Sequence, residues 1–449
     1  MKMLFIVALI LVVLARGYGN TEIKFVAVIF RNGDHMPVDC FPSDRYRNKS
    51  LWPAPPGYLT NTGNKQHYML GKYLRLQYSD LLSKIYDPEE VLVQSTDVDR
   101  TLMSAEANLA GLFRPTGKQV WDMQMPWQPI PVHTRPEHLD EVLAMKRPCP
   151  QYNLEMDKYL ASPPYLNMLK RHEKLMDYLS THIGKKVKDF TDIRHIYSCL
   201  NIEKLYNFKL PAWTDIVFPE PLHQAAGLGL SVSAATPRLA RLIAGPLVQR
   251  VVGTMADVMA GGRRRLVMYS GHDFTVATLL TALGVFDDVC PEYTATVHLE
   301  LTKRINETTD TAEWYVRLLY RNSVDPLSDP VVLNVPYCGD LCPFHEFVKL
   351  YDHLITVDWE RECAIGYDLS SLTTYCSLIT VLLFIAGVLP LWATWRNTIR
   401  IDYERGVPAL IPDPDLGGSY SVEELLNTPC MSVHYKISFS FRRRLERTN

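Results

Sequence analysis

The sequence lacks an excess of charge of either sign. Its 449 residues carry 47 Lys and Arg against 49 Asp and Glu, which gives a net charge of -2. Nucleic-acid-binding proteins usually show a basic excess or a basic stripe, so this class is excluded. The sequence also lacks internal repeats and low-complexity tracts, which excludes a solenoid and a disordered array. With 47% hydrophobic and 21% charged residues, the chain has an ordinary globular composition and the length for one or two compact units.

Two long apolar runs stand out against this average composition, and the first is at the start of the chain. Residues 1–19 hold a lysine near the beginning, an apolar run from 3 to 14 and small residues at 15, 17 and 19. This pattern predicts a secretory signal peptide. A buried or membrane-anchoring helix is the alternative, but about a dozen apolar residues are too few to cross a bilayer.

The second apolar run has no charged residue from 369 to 395 and is followed at once by Arg396 and Arg400. Roughly 20 apolar residues are needed to cross a membrane, so the run predicts a transmembrane helix over 370–395. A buried globular helix would be shorter, and a lipid-anchor signal would end in the apolar segment, whereas some fifty residues follow here. The expected organisation is a lumenal domain over 20–365 and a cytoplasmic tail over 396–449.

Seven cysteines precede this run, and in an oxidising lumen most of them should form disulfides. They are Cys40, Cys149, Cys199, Cys290, Cys338, Cys342 and Cys363. Sequence alone does not assign the pairs. A thiol-phosphatase site is excluded, because that chemistry needs five residues between cysteine and arginine, and only four separate Cys40 from Arg45. Asn48 and Asn306 begin glycosylation triplets that a lumenal domain could use.

A short polar segment follows the apolar run 25–30 and predicts a ligand site at the carboxyl end of a buried strand. It reads Arg31, Asn32, Gly33, Asp34, His35, Met36 and Pro37. The Arg31 guanidinium is a planar fork that suits two phosphate oxygens. Gly33 allows a sharp turn and a close approach of the backbone to a ligand. The segment therefore predicts a phosphate site.

Two further junctions place polar residues between a predicted strand and a predicted helix. The strand at 91–93 leads to Arg100 and an apolar helical pattern, and Asp97 or Asp99 could cap that helix. The strand at 266–269 leads to His272 and Asp273 before the helix at 274–283. Taken singly, Arg100 reads as a solvated or ion-paired arginine and His272-Asp273 as a capped helix start. Three such junctions together predict one converging anion site.

These three segments resemble, in order, the motifs of the histidine acid phosphatases. The family patterns are Arg-His-Gly-x-Arg-x-Pro, which aligns with residues 31–37, Thr-Asp-x-Asp-Arg-Thr, which aligns with 96–101, and Ser-Gly-His-Asp, which aligns with 270–273. The likeness extends over about 24–363. The resemblance implies that Arg31, Arg100, His272 and position 35 hold phosphate. It implies that position 32 attacks phosphorus and that Asp273 protonates the leaving alcohol. No metal or cofactor is implied, and a homodimer is compatible with the likeness although no stretch of sequence requires one.

The resemblance also implies the fold and the disulfides. The expected fold is an α/β mixed sheet flanked by helices, with a body over about 20–120 and 235–365 and an inserted helical cap over about 121–234. In the cap, 155–205 shows helical periodicity with Leu169, Leu175, Met176 and Leu179 as candidate core residues. The implied disulfides are Cys149 with Cys363, Cys199 with Cys290, and Cys338 with Cys342. Cys40 would be left over, as an intermolecular cross-link or, more commonly, a buried thiol.

The chain departs from the family motif at Asn32, where the nucleophilic histidine is expected, and at His35, where the second arginine is expected. An amide has no basic lone pair to offer phosphorus, so covalent turnover should fail. With an ordinary pKa near 6.5, His35 should become cationic in an acidic compartment, so phosphate or a phosphomonoester should bind more tightly near pH 5 than near pH 7.5.

Three functions remain open at this point. The first is an impaired acid phosphatase that still binds phosphomonoesters, the second is an active acid phosphatase, and the third is a structural or adhesive membrane protein with a vestigial pocket. Retention of Arg31, Arg100, His272 and Asp273 favours the first over the third. The sequence does not separate the lysosomal membrane from the cell surface.

Overall fold

A mixed sheet organises the first part of the chain in this computed structural model. The structure describes residues 21–306, 311–325, 328–355, 358–365 and 369–404. The expected signal peptide and the expected tail beyond residue 404 therefore lie outside the described residues. The chain forms two compact units, Met1–Ala364 and Ile365–Asn449.

Eight strands make up the sheet. They are β1 (Thr21–Arg31), β2 (Val91–Thr96), β3 (His133–Arg135), β4 (Leu266–Gly271), β5 (Thr296–Asn306), β6 (Thr311–Arg321), β7 (Val331–Leu333) and β8 (Cys342–Pro343). Their order is β3-β2-β4-β1-β5-β6-β7, and β8 pairs with β6. The β1–β4, β4–β2 and β2–β3 pairs are parallel, whereas β1–β5, β5–β6 and β6–β7 are antiparallel. The predicted α/β fold with a mixed sheet is confirmed.

Twelve α-helices lie in the described residues. They are α1 (Asn61–Gln77), α2 (Asp99–Leu112), α3 (Pro150–Leu160), α4 (Pro163–His182), α5 (Phe190–Leu205), α6 (Leu222–Ser231), α7 (Pro237–Ile243), α8 (Gly245–Met259), α9 (Asp273–Ala282), α10 (Phe344–Leu350), α11 (Trp359–Cys363) and α12 (Leu369–Glu404). Neither Asp97 nor Asp99 caps α2, since the capping position is Val98 and Asp99 is the first helical residue.

The continuous apolar run of β1 explains its central place in the sheet. Residues 25–30 are all fully buried, and alternate side chains enter hydrophobic cores on opposite faces of the sheet. A third hydrophobic cluster lies among α4, α5 and α6. In it Met176 and Leu179 are buried as expected, with Leu169 and Leu175 packed partly buried against it. The boundaries of the cap as a separate domain stay a prediction.

The disulfides differ from the expected set at one pair. Cys149 bonds Cys363 and Cys338 bonds Cys342, as the family resemblance implied. Cys40, however, bonds Cys199, so the expected Cys199–Cys290 pair is wrong. The reason is the direction of Cys199 on α5. Its sulfur lies 3.3 Å from the carbonyl oxygen of Asp39, on the side of the segment that carries Cys40.

Cys290 forms no disulfide within the described residues. Its buried thiol lies 4.0 Å from the carbonyl oxygen of His223 and interacts electrostatically with Arg194. Arg194 precedes Cys199 by five residues, which at 100° per residue places the two on different sides of the helix. Burial raises the pKa of the Cys290 thiol to about 12, so it is not a reactive thiolate.

Two carboxyl groups meet beside the Cys40–Cys199 disulfide. Asp44, in the loop after the first motif, and Glu203, near the end of α5, place carboxyl oxygens within 4.8 Å of each other and of the Cys40 sulfur. Burial and the nearby Asp44 carboxyl raise the pKa of Glu203. Glu203 therefore keeps its proton at pH values where an exposed glutamate has lost it.

Within the second unit, α12 contains the segment Ser377–Thr398, which is long and apolar enough to cross a membrane. All of its described side chains in 377–398 are exposed within the chain, as lipid-facing residues would be. This agrees with the predicted apolar helix, while its topology stays a prediction.

Candidate active site

The three sequence motifs meet at one edge of the sheet. Arg31 ends β1 and is in register with Gly271, which ends β4, while Ser95 of β2 is in register with Ser270. Because these strands are parallel, their carboxyl ends lie side by side. The loops and helix starts that follow bring Arg31, Arg100, His272 and Asp273 within electrostatic reach of one another. The predicted convergence is therefore present.

Arg31 is held in place before any ligand arrives. Its guanidinium donates to the carbonyl oxygen of Pro291 and lies 4.2 Å above the centre of the Tyr293 ring. The guanidinium is thereby fixed by a hydrogen bond and a cation–π contact. Its backbone amide donates to Ala295 at 2.9 Å, which ties the same segment to β1. Neither Pro291 nor Tyr293 was predicted, since both lie in a loop without a motif before β5.

Asn32 points into the protein and its amide is already engaged. The residue is 2% exposed, and its side-chain Nδ2 donates to the carbonyl oxygen of Gly33 at 2.9 Å.

Gly33 is required for a reason that differs from the predicted one. A β-carbon there would lie 2.7 Å from the carbonyl oxygen of Gly63, so the close approach is to helix α1. The Gly33 amide also donates to Ser104 of α2 at 3.1 Å.

Arg100 and His272 form one hydrogen-bonded unit with Thr96. An Arg100 nitrogen lies 3.4 Å from His272 Nδ1, and Thr96 Oγ1 lies 3.1 Å from His272 Nε2. Arginine only donates, so Nδ1 accepts and the proton of the neutral ring sits on Nε2, which donates to Thr96. Both ring nitrogens of His272 are thus engaged by protein groups. Thr96 was not predicted as a site residue, although it is the first residue of the second motif.

His35 lies at the same pocket with its ring fixed. Its Nδ1 lies 2.8 Å from the carbonyl oxygen of Met36, which requires the proton on Nδ1, and its ring meets the edge of Tyr293 at 5.5 Å. Among the charged groups that act on His35 are Arg100, Arg31 and Asp273. Position 35 therefore belongs to the same site, but with an imidazole that leaves only Nε2 free to face an anion.

Comparison with known proteins agrees with this geometry. Residues 20–321 match the family described as the histidine phosphatase superfamily, branch 2. The chain belongs to that superfamily. It is 36% identical over 355 residues to the prostatic acid phosphatase of Bos taurus, covering 78% of this chain and 89% of that protein. The lysosomal acid phosphatase of Xenopus laevis is 34% identical over 350 residues, with 77% and 79% covered.

Solved structures confirm the histidine phosphatase fold. The phytase of Hafnia alvei in complex with tartrate has a TM-score of 0.57 and 17% identity, covering 77% of this chain and 99% of that one. The phytase of Citrobacter braakii has a TM-score of 0.56 and 18% identity, with 77% and 100% covered. The expected family and fold are thus confirmed.

The site of this histidine phosphatase keeps both imidazoles neutral at pH 5. Burial and the nearby Arg100 lower the pKa of His35 to about 4 and that of His272 to about 3. The expectation from the sequence that His35 is cationic at pH 5 is therefore wrong. The reason is that the ring is removed from water beside guanidinium groups. A protonated His35 would need the negative charge of a bound anion beside it.

Asp273 is an ionised carboxylate in this pocket. Burial alone would raise its pKa, but Arg194, Arg31 and the amide of Phe274 outweigh burial and hold the pKa well below its usual value. Its Oδ1 accepts from the Phe274 amide at 2.7 Å, and its Oδ2 lies 3.6 Å from Arg194 of α5. Arg194 was missed because it lies on a helix that carries no motif, some eighty residues before Asp273 in the chain.

Proposed function

We propose that this protein binds phosphomonoesters in the pocket formed by Arg31, Arg100, His35 and His272 and hydrolyses them slowly or not at all. The observation that carries the proposal is Asn32, whose amide donates to Gly33 from the position of the family nucleophile. The nitrogen lone pair of an amide is delocalised, so it does not attack phosphorus. Loss of the nucleophile in a covalent hydrolase costs on the order of a millionfold in turnover.

Support for binding comes from the cationic groups that remain. The two guanidinium groups of Arg31 and Arg100 are partly buried, where charge–charge attraction to a phosphate is stronger than in water. Arg31 is also pre-oriented by Pro291 and Tyr293, so little side-chain freedom is lost when an anion binds. A pocket of this kind needs no metal to hold a phosphate.

For the setting, we propose a secreted-pathway protein anchored by the helix 377–398, with the phosphatase-like unit in the lumen. Disulfides within the first unit and relatives that include lysosomal acid phosphatases support an oxidising compartment. Asn48 and Asn306 stay predicted glycosylation sites; Asn48 is exposed, and the triplet of Asn306 extends beyond the described residues. The lysosomal membrane or cell surface, and a homodimer, stay predictions.

The decisive experiment compares the detergent-solubilised full chain with a variant that carries Asn32→His and His35→Arg. Turnover of 4-nitrophenyl phosphate is measured at pH 5, and phosphorylated protein is trapped by acid quench. We expect the native chain to show no phosphorylated side chain and negligible turnover. We expect the variant to show a phosphorylated side chain and measurable turnover. Equal turnover in the two would establish an active acid phosphatase instead.

Binding of inorganic phosphate to the native chain, measured by calorimetry, tests the other half of the proposal. We expect saturable binding that weakens when Arg31 is replaced by Gln, with exposed Arg171→Gln as the matched control. Absence of binding would favour the structural or adhesive protein with a vestigial pocket.

A further inference from the structure

Arg194 brings a third guanidinium group to the pocket from outside the three motifs. It lies on α5, and its Nη1 is 3.6 Å from Oδ2 of Asp273. This distance is a charge contact, longer than a good hydrogen bond. The side chains of Arg194 and Asp273 are 34% and 26% exposed, so the pair is partly shielded from water. Opposite charges at this range favour the ionised carboxylate.

We propose that Arg194 is the counter-ion that keeps Asp273 ionised, so that this chain has lost its proton donor in addition to its nucleophile. The inference rests on the proposed function, because the donor role of Asp273 comes from the family likeness. Arg194 is a positioning residue here, since it acts through Asp273. Asn32, His35 and Arg194 then each act against catalysis at the same site.

The chemical consequence concerns the leaving group. In the restored reaction, His at position 32 would form a bond to phosphorus while the bond from phosphorus to the ester oxygen breaks, and that oxygen would take the proton of a neutral Asp273 carboxyl group. An ionised Asp273 has no proton to give, so the oxygen must leave as an anion or take a proton from water. A nitrophenolate leaves readily in this way, whereas an alkoxide does not.

Other groups also act on Asp273, and they come from several elements. They are Arg31 of β1, Arg100 of α2, His35 after β1, His272 before α9, and Cys290 and Tyr293 before β5. Arg194 makes the largest contribution to lowering the pKa of Asp273, ahead of Arg31. A bound phosphate dianion would offset Arg31 and Arg100, which it contacts, and would leave Arg194 as the main partner of the carboxylate.

The first test uses the Asn32→His, His35→Arg chain as background and compares it with the same chain carrying Arg194→Gln, at pH 5. Lys204→Gln is the matched control, since it removes one exposed positive charge from the same helix. We expect Arg194→Gln to raise kcat/KM for an alkyl phosphate such as glycerol 2-phosphate by on the order of a hundredfold, the size of general acid catalysis. 4-Nitrophenyl phosphate should change by less than about threefold, and Arg194→Lys should behave as the unaltered arginine.

An equal change for both substrates would overturn the proposal, because a general effect on binding or folding does not discriminate leaving groups.

The second test needs no turnover. It follows the carboxyl carbon signal of Asp273 in ¹³C-aspartate-labelled full chain, assigned with Asp273→Asn. We expect the titration midpoint to rise in Arg194→Gln and not in Lys204→Gln.

An unchanged midpoint would also overturn the role of Arg194. If the restored background hydrolysed neither substrate, the proposed function's account of Asn32 would fail, while the carboxyl titration would still decide the role of Arg194.

Discussion

Binding of a dianion should place a proton on His35, and this makes affinity depend on pH. The pKa of His35 is lowered to about 4 by burial and by Arg100. A dianion bound beside the ring should raise it to about 6, since an opposite charge within 4–6 Å moves a pKa by about one to three. Because binding raises the pKa, the bound state is favoured at low pH, and the advantage disappears as the pH rises through about 6.

The size of the pH effect on affinity follows from the two pKa values of His35, about 4 without the dianion and about 6 with it. Proton linkage gives about tenfold tighter binding at pH 5 than at pH 7.5, with uptake of about 0.8 proton at pH 5. Sulfate is the best probe, since it stays a dianion over this range and its own ionisation does not enter. Calorimetry in two buffers of different ionisation enthalpy measures affinity and proton uptake on the full chain together.

The controls are variants of His35 itself. His35→Gln should remove most of the pH dependence and leave only a small contribution of His272, whose pKa is lower still. His35→Arg should bind sulfate tightly at both pH values. Equal affinity of the native chain at pH 5 and pH 7.5, or the same slope in His35→Gln, would refute the linkage.

Three further predictions concern stability. Replacing Cys40 and Cys199 together by Ser opens a loop of 159 residues and should lower the free energy of unfolding by about 2–5 kcal/mol in chemical denaturation; an unchanged midpoint would contradict the pairing. Gly33→Ala should cost at least about 1–3 kcal/mol, because the new β-carbon meets the backbone of α1. Gly253→Ala, at an exposed position of α8 with open space around it, should instead stabilise by about 0.5–1 kcal/mol. Glu203 keeps its proton in the folded chain while the unfolded chain loses it, so stability should fall as pH rises above about 4.5; Glu203→Gln should flatten that fall in thermal unfolding from pH 5 to 8.

The sequence predicted the residues whose positions follow from strand periodicity. Arg31 is the last residue of β1, His272 directly follows β4, and Arg100 lies in the first turn of the helix after β2. Parallel strands bring their carboxyl ends together, so these three residues meet. Residues that reach the site from elsewhere were missed. Tyr293 precedes an antiparallel strand and Arg194 lies in mid-helix, where their contacts depend on packing angles that no local pattern specifies.

The disulfide error has a similar physical origin. The family likeness supplied a pair for Cys199, but the direction of a side chain on a helix changes by 100° with each residue. The electrostatics of the site were also not predictable from the sequence, since the low pKa of His35 arises from burial beside Arg100, which lies 65 residues away in the chain.

The dispersed origin of the pocket has a consequence for the amount of protein in a cell. The groups proposed to hold an anion come from positions 31, 100 and 272, so they come together only when the strands that carry them have paired. An anion that binds only the folded chain stabilises all of it, by about 2.7 kcal/mol at one hundred times its dissociation constant. A phosphomonoester would then act as a folding ligand, and its supply would govern the lifetime of the protein even where no ester bond is ever cleaved.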